Sequence, residues 1–249
     1  MSGHSKWSQI KRQKGAADVK RGAAFSKLTN AIIVAAKNGG DPNTNFTLKM
    51  AIEKARDANM PKENIERAIK RGTGEEGGAQ ITEALYEAIA PNAVGIIIEA
   101  ATDNSNRTTS EIKNVLNKFG SKLASSGAVA YQFTKMGKLL VDTSGKNKEE
   151  LELSIIDAGA EDFDEHGDDI AVYTKPNELE IVKRSLEGQE LVIKEAGLSW
   201  EPKDTIPISE KDAAEKILKL LNAIEELEDV VAIHANFDIP STLITNLNE

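Results

Sequence analysis

Apolar residues recur at helical spacing in the first third of the chain. The first repeat, Ala16 to Lys37, predicts one long helix that stops at Gly39-Gly40. Two shorter repeats follow, one opened by Asp41-Pro42 and one opened by Pro61 and closed by Gly72. Together the three repeats predict a small helical bundle.

The pattern changes after a glycine-rich stretch, residues 72–80, which lacks large apolar side chains and is interpreted as a hinge or linker. Short apolar runs that are typical of strands follow at 84–90, 94–101 and 129–133. Thr108 and Glu111 have the spacing of a capping box ahead of an amphipathic helix that ends near Gly120. This order predicts mixed β and α structure in the middle of the chain.

A self-contained unit is predicted between residues 138 and 200, where the elements follow the order β-α-β-β-α-β of the ferredoxin-like arrangement. An amphipathic helix capped by Ser209 or Asp212 and a strand at 230–235 come next. Because this last pair is too small to form a domain, we expect it to return to the sheet of the middle segment.

The predicted fold is therefore α+β with three domains: an N-terminal helical bundle, a discontinuous α/β middle domain and an inserted ferredoxin-like α+β domain. The changes of pattern set the boundaries. They place a basic helical domain with an N-terminal arm at 1–77, the middle domain at 78–137 plus 207–249, and the inserted domain at 138–206.

Charge is distributed unevenly along the chain. The whole sequence has a net charge of −9, from 31 Lys and Arg against 40 Asp and Glu. Residues 1–75 carry 15 of the cations and 7 of the acids, whereas residues 76–249 carry 16 cations and 33 acids. A basic end on an acidic body is difficult to explain by solubility alone, and it favours binding to a polyanion.

The basic end begins with an arm of closely spaced cations around one tryptophan. Cations neutralise phosphates and release counterions, and an aromatic ring offers a surface on which a base or ribose stacks. Packing of Trp7 against the helical bundle is an equally good interpretation of that residue. The predicted nucleic-acid contacts are His4, Lys6, Trp7, Lys11, Arg12, Lys14, Lys20, Arg21 and Lys27.

Residues that would support catalysis or hold a cofactor have no local signature in the sequence. The chain has no cysteine, and its three histidines are far apart. Gly72–Gly77 has the glycine spacing of a dinucleotide fingerprint, but it follows a helix and carries two glutamates. Asp162–Gly167 starts like a calcium loop without its closing glutamate, and it is interpreted as a hairpin turn. We expect a protein that is not an enzyme and that has no metal or cofactor.

Hydropathy also bears on where the protein acts. No apolar run approaches the roughly 20 residues that a membrane-spanning helix needs. The first residues lack the apolar stretch of a secretory signal. We therefore expect a cytoplasmic location and no membrane partner.

Several motifs, taken in order, resemble those of the YebC/PmpR family. They are Gly-His-Ser-Lys-Trp at 3–7, Lys20-Arg21-Gly22 followed by Phe25-Ser26-Lys27-Leu28, Asn59-Met60-Pro61 leading to 65–72, Thr102-Asp103-Asn104 with Asn106-Arg107-Thr108, and Gly159-Ala160-Glu161-Asp162. The resemblance runs from residue 3 to about residue 237. It implies a three-domain α+β protein with a helical N-terminal domain.

The sequence departs from the family pattern in two places. The family often has Asn-Pro-Arg-Leu-Arg where this chain has Asn-Phe-Thr-Leu-Lys at 45–49. The family usually has Tyr-Glu-Gly-Tyr-Gly-Pro-Gly-Gly where this chain has Tyr-Glu-Ala-Ile-Ala-Pro-Asn-Ala at 86–93. The first change removes one arginine, and the second removes a glycine-rich turn.

Three functions are compatible with the sequence. The resemblance implies a DNA-binding transcriptional regulator, and relatives described as ribosome-associated factors that relieve stalling at proline runs imply ribosomal RNA as the alternative partner. The same cations serve both, since attraction to phosphate carries no sequence information. The third function is a scaffold that binds protein partners through the acidic domains.

Overall fold

The structure, a computed structural model, describes residues 21–78, 80–166, 169–240 and Leu243, and it has the predicted α+β fold. The helices are α1 (Arg21–Ala36), α2 (Phe46–Asp57), α3 (Lys62–Thr73), α4 (Ser105–Lys118), α5 (Lys148–Asp157), α6 (Leu179–Gly188) and α7 (Lys211–Glu225). The strands are β1 (Thr82–Ile89), β2 (Gly95–Thr102), β3 (Lys122–Ala124), β4 (Phe133–Asp142), β5 (Asp162–His166), β6 (Asp169–Thr174), β7 (Ile193–Pro202), β8 (Ile206–Pro207), β9 (Val230–Ala235) and β10 (Phe237–Asp238). In these ranges no helix is long and apolar enough to cross a membrane.

Helices α1, α2 and α3 form the helical unit. Asp41-Pro42 does not open the second helix, because the cap is Asn45, whose side-chain oxygen accepts a hydrogen bond from the Leu48 N–H at 3.1 Å. The third helix does not close at Gly72 either, since its C-cap is Gly74 in the left-handed conformation. Gly72 instead lies where α3 meets α1: an added Cβ would stand 2.4 Å from the backbone oxygen of Ile33.

The middle sheet has the strand order β3-β1-β2-β9, and its neighbours are antiparallel. Strand β9 pairs with β2, with Ile97 opposite His234, so the strand predicted at 230–235 returns to this sheet as expected. Helices α4 and α7 supply the apolar side chains that pack against the sheet, among them Ile112 and Leu221.

Several predicted boundaries in the middle unit are wrong. Ala130–Gln132 is a 3-10 turn, and the strand that was expected at 129–133 begins only at Phe133. Helix α7 has Glu210 as its N-cap, where Ser209 or Asp212 was predicted, and Glu210 makes no side-chain capping bond. Strand β3 was not predicted at all, since three residues are too few for an alternating pattern to emerge.

The turn before β2 contains two residues in a conformation that glycine favours. Asn92 and Ala93 both have φ of 61°. These are positions at which the family usually has glycine, and a Cβ in the left-handed region costs roughly 1–2 kcal/mol. The sequence departure is therefore accommodated by backbone strain in this turn.

Replacing Ala93 by glycine is expected to raise the free energy of unfolding by about 1 kcal/mol, since the relief of strain exceeds the greater entropy of the unfolded glycine. Urea titration at neutral pH measures the change. A matched control is Ala213→Gly in α7, where glycine should lower the free energy of unfolding by about 1 kcal/mol. A destabilised Ala93→Gly variant would contradict the assignment of strain.

Glu87 fixes the segment that leads into β4. Its buried carboxylate accepts backbone N–H bonds from Gly127 at 2.6 Å, from Val129 at 2.6 Å and from Ala130 at 2.8 Å. Burial raises the pKa of Glu87, but these three hydrogen bonds outweigh burial and hold the pKa below its ordinary value. The ionised form therefore stabilises the fold.

We expect Glu87→Gln to lower the free energy of unfolding by about 1–3 kcal/mol, because the amide NH₂ would face a backbone N–H. Because the pKa is depressed in the fold, the difference is complete above about pH 5.5, begins to shrink as the pH falls through the ordinary pKa of a glutamate, and disappears as the folded carboxylate is protonated. Glu83→Gln, an exposed position on the same face of β1, is the control. Equal losses in the two variants would contradict the role of Glu87.

The inserted unit has the strand order β5-β6-β4-β7 and is ferredoxin-like, with α5 and α6 packed on its sheet. Its core includes Leu139, Ile155 and Leu179. Of the predicted hairpin turn, Asp162–His166 is strand β5, and Gly167 lies outside the described residues.

The helical unit packs against both other units. Ile81, which directly follows the linker predicted at 72–80, is buried in the helical core together with Ala101 of β2. On the other side Phe46 packs against the ferredoxin-like core, and Lys183 Nζ lies 2.8 Å from Glu53 Oε2. Phe46 is one of the residues at which the chain departs from the family pattern, and it is used in this contact.

Candidate nucleic-acid interface

The structure describes two of the nine predicted contact residues. Arg21 is the first residue of α1, and Lys27 lies two turns along it. The others, namely His4, Lys6, Trp7, Lys11, Arg12, Lys14 and Lys20, lie outside the described residues. The arm itself therefore stays a prediction, but its point of attachment at the start of α1 is placed.

Lys27 ties α1 to the middle unit. Its half-buried ammonium group donates a hydrogen bond to the backbone carbonyl of Glu225, at the C-terminal end of α7. A helix C-terminus carries partial negative charge, so a lysine there is stabilised by the helix dipole. A phosphate bound at Lys27 would share the ammonium group with this carbonyl.

Other cations of the helical unit are exposed to solvent. Lys54 and Arg56 lie in the last turn of α2, and Lys70 lies in the last turn of α3. The exposed cations, which we call the cationic surface, are Lys37, Lys54, Arg56, Lys62, Arg67 and Lys70, and the same unit also exposes carboxylates, among them Asp57, Glu63 and Glu66. Of these, Lys62 makes an ion pair with Glu66 at 3.5 Å, and both side chains are more than half exposed. Such a pair is weak and leaves the lysine accessible to a phosphate.

A cavity of about 390 Å³ lies between the helical and middle units. The first turns of α1 line one wall through Phe25 and Thr29. The remaining walls carry two arginines and three carboxylates, namely Arg71, Arg107, Asp103, Glu228 and Asp229. Because the carboxylates outnumber the arginines, the cavity is a poor site for a phosphate group.

At the edge of this cavity, Asp229 is the centre of a hydrogen-bond network. Its Oδ2 accepts hydrogen bonds from the Thr108 hydroxyl at 2.6 Å and from the Thr102 hydroxyl at 3.0 Å. Arg107 Nη2 donates to the two carboxylate oxygens at 2.8 and 3.1 Å and also pairs with Asp103 at 3.0 Å. The network joins the loop before β9 to the junction between β2 and α4.

Burial raises the pKa of Asp229, but hydrogen bonds from Thr108, Arg107 and Thr102 outweigh burial and lower it. The hydrogen bond to Asp229 and the negative charges of Asp229 and Asp103 raise the pKa of Arg107. The pair is therefore ionised at neutral pH, and its charges are balanced within the network. Asp229 organises this wall of the cavity and does not itself attract a polyanion.

The capping box predicted at Thr108 is wrong. The N-cap of α4 is Asn104, whose side chain accepts the Arg107 N–H at 3.1 Å. Thr108 lies inside the helix, fully buried, and its hydroxyl reaches Asp229. Sequence reasoning missed Asp229 because its partners lie more than 120 residues earlier and no local pattern connects them.

His234 lies where the middle sheet contacts β7, and its ring nitrogens make hydrogen bonds there. Its Nε2 lies 2.8 Å from Glu99 Oε1, and its Nδ1 accepts the Trp200 N–H at 3.3 Å. Burial raises the pKa of Glu99, but the hydrogen bond from His234 lowers it below its ordinary value. Across the described ranges no group of three His, Cys, Asp or Glu side chains is arranged to hold a metal ion.

Comparison with known proteins covers nearly the whole chain. A family model described as the TACO1/YebC protein N-terminal domain matches residues 5–75, and one described as the TACO1/YebC second and third domain matches residues 81–237. A crystal structure described as a conserved hypothetical protein from Aquifex aeolicus has 46% sequence identity and a TM-score of 0.83, over 90% of this chain and 93% of that one.

Similar proteins carry a regulatory name. A relative from Aquifex aeolicus, named a probable transcriptional regulatory protein, is 46% identical over 98% of each chain. A relative of the same name from Pseudothermotoga lettingae is 48% identical over 96% of this chain and 94% of its own length. These matches confirm the resemblance drawn from the motifs: the chain belongs to the TACO1/YebC family.

Proposed function

We propose that this chain is a regulatory protein without enzymatic activity that binds DNA through its basic N-terminal arm and the cationic surface of its helical unit. The observation that supports the proposal most directly is the separation of charge: residues 1–75 hold 15 cations and 7 acids, while the rest holds 16 and 33. The regulatory name of its relatives agrees with this role.

The structure adds a reason why the contact would stay on the helical unit. Its exposed cations lie outside the acid-rich cavity, and beyond them the middle and ferredoxin-like units have an excess of acids. The excess of acids in these two units repels a polyanion that binds the cationic surface. Binding should therefore be shallow and depend on contacts to phosphate.

A salt-titrated shift assay with a duplex DNA of mixed sequence tests the binding step on the full chain. The logarithm of the association constant should fall linearly with the logarithm of the salt concentration, with a slope of about −0.9 for each phosphate contact. A slope near zero, or no complex at about 50 mM salt, would contradict the proposal.

Ribosomal RNA is the competing partner, and the cations alone do not distinguish it from DNA. Sedimentation of cell lysates through sucrose, followed by sequencing of the crosslinked nucleic acid, separates the two. Discrete DNA peaks at promoters support the proposed regulator. Co-migration with ribosomes and crosslinks to ribosomal RNA would replace it with a translation factor.

A further inference from the structure

Helix α5 has large apolar side chains on two opposite faces. Leu151 and Ile155 are buried in the ferredoxin-like core, whereas Leu153 and Ile156 are 62% and 56% exposed. The spacing of Leu153 and Ile156, three residues apart, places them side by side on the outer face of the helix. A surface helix that packs one face normally has polar residues on the other, so this outer face is unusual.

The neighbouring helix extends the same surface. Ile181 of α6 is 66% exposed, while Leu179 and Val182 of the same helix are buried against the sheet. Both helices pack on one face of the ferredoxin-like sheet, and their outer faces therefore point away from it in the same direction. Leu153, Ile156 and Ile181 are the exposed large apolar side chains of these two helices, and we call them together the outer apolar patch.

Carboxylates surround the patch. On α5 they are Glu149, Glu150, Glu152 and Asp157, within a ten-residue helix that has one lysine. That lysine, Lys148, pairs with Glu165, and Arg184 of α6 pairs with Glu180. The cations of these helices are thus already engaged by acids, and the surface around the patch keeps a net negative charge.

We propose that the outer apolar patch is a docking site for a protein segment that presents large apolar side chains between lysines or arginines, such as a basic amphipathic helix. Contiguous exposed apolar surface marks interaction sites. The carboxylates around the patch favour a positively charged partner, and they repel nucleic acid and anionic lipid surfaces. This inference is independent of the proposed function, because it uses a different unit of opposite charge.

A designed peptide of leucine and lysine at helical spacing, labelled with a fluorophore, tests the site on the full chain by fluorescence anisotropy. The wild type should bind it, and the analogue with glutamate in place of lysine should not bind. The double variant Leu153→Ser and Ile156→Ser, which leaves every charge in place, should weaken binding at least tenfold. Leu85→Ser, which alters an exposed leucine on the middle sheet, should leave binding unchanged.

A second double variant measures how much the carboxylates contribute to peptide binding. Glu149→Gln with Glu152→Gln keeps the apolar patch and should also weaken binding, with the loss shrinking at high salt. Equal peptide affinity of the wild type and Leu153→Ser/Ile156→Ser would overturn the proposal. Nonspecific electrostatic attraction, and not the apolar patch, would then account for binding. Concentration-dependent dimers that this double variant abolishes would also overturn it, by making a second copy the occupant.

Discussion

Changing Lys11, Arg12 and Lys14 to glutamate is expected to lower the affinity for DNA by about 100-fold or more at physiological salt. Each phosphate that a cation neutralises releases counterions, which at this salt contributes on the order of 1 kcal/mol. Loss of three contacts alone accounts for roughly a hundredfold, and the new negative charges add repulsion. A shift assay or anisotropy titration with duplex DNA measures the change.

The control for this variant reverses three lysines of the acidic body. Lys113, Lys122 and Lys216 are exposed, so their change to glutamate alters net charge by the same amount without touching the arm. If the arm is the contact, the control should retain most of the affinity and the full dependence on salt. Equal losses in the two triple variants would show that net charge decides binding, and the arm would lose its special role.

Removal of the Asp229 carboxylate is expected to have the largest effect on stability. Asp229→Ala removes the carboxylate that both buried hydroxyls, of Thr102 and Thr108, share as an acceptor, and it frees Arg107 from its strongest partner. A few broken hydrogen bonds of this kind lower the free energy of unfolding by about 2–4 kcal/mol. Urea titration of wild type and variant at pH 7 gives the difference.

Glu228→Ala is the matched control, because Glu228 is the adjacent carboxylate and is exposed. It should change the free energy of unfolding by no more than about 0.5 kcal/mol. Since the pKa of Asp229 is depressed in the fold, its contribution is complete above about pH 5 and is lost progressively as the pH falls through the ordinary pKa of an aspartate to the lower pKa of the folded state. An Asp229→Ala variant as stable as Glu228→Ala would contradict the network.

The sequence predicted the order of elements well because long amphipathic repeats carry their own signal. The ferredoxin-like unit is an example, since its β-α-β-β-α-β order appears as alternating runs between 138 and 200, and the sheet order follows from it. The return of β9 was predicted for a different reason: α7 and β9 are too small to bury their apolar faces alone.

Element ends were predicted less well because several residues near each end can cap a helix. Asp41-Pro42 and Asn45 are both plausible starts, and the choice of Asn45 depends on its amide, which donates to the carbonyls of Ala35 and Gly39. Those acceptors belong to the preceding helix and its turn. The decision is therefore made by packing within the bundle, which local spacing does not encode.

Contacts between units were the part that spacing could not reveal. Phe46 belongs to a motif in which Thr47 replaces the arginine of the family pattern, and the motif assigns no role to Phe46, yet Phe46 packs on the ferredoxin-like core. Lys27 looked like a phosphate contact, yet its ammonium group reaches the end of α7 almost 200 residues later. Long-range partners of this kind have no signature in a single sequence.

Photocrosslinking of the intact chain to duplex DNA that contains 5-iododeoxyuridine, followed by mass spectrometry of the adducts, tests the central claim most directly. The proposed interface predicts that the adducts fall on peptides from residues 1–78, with the arm and the cationic surface represented. Adducts confined to residues 81–240 would show that nucleic acid binds the acidic body and would contradict the proposed interface.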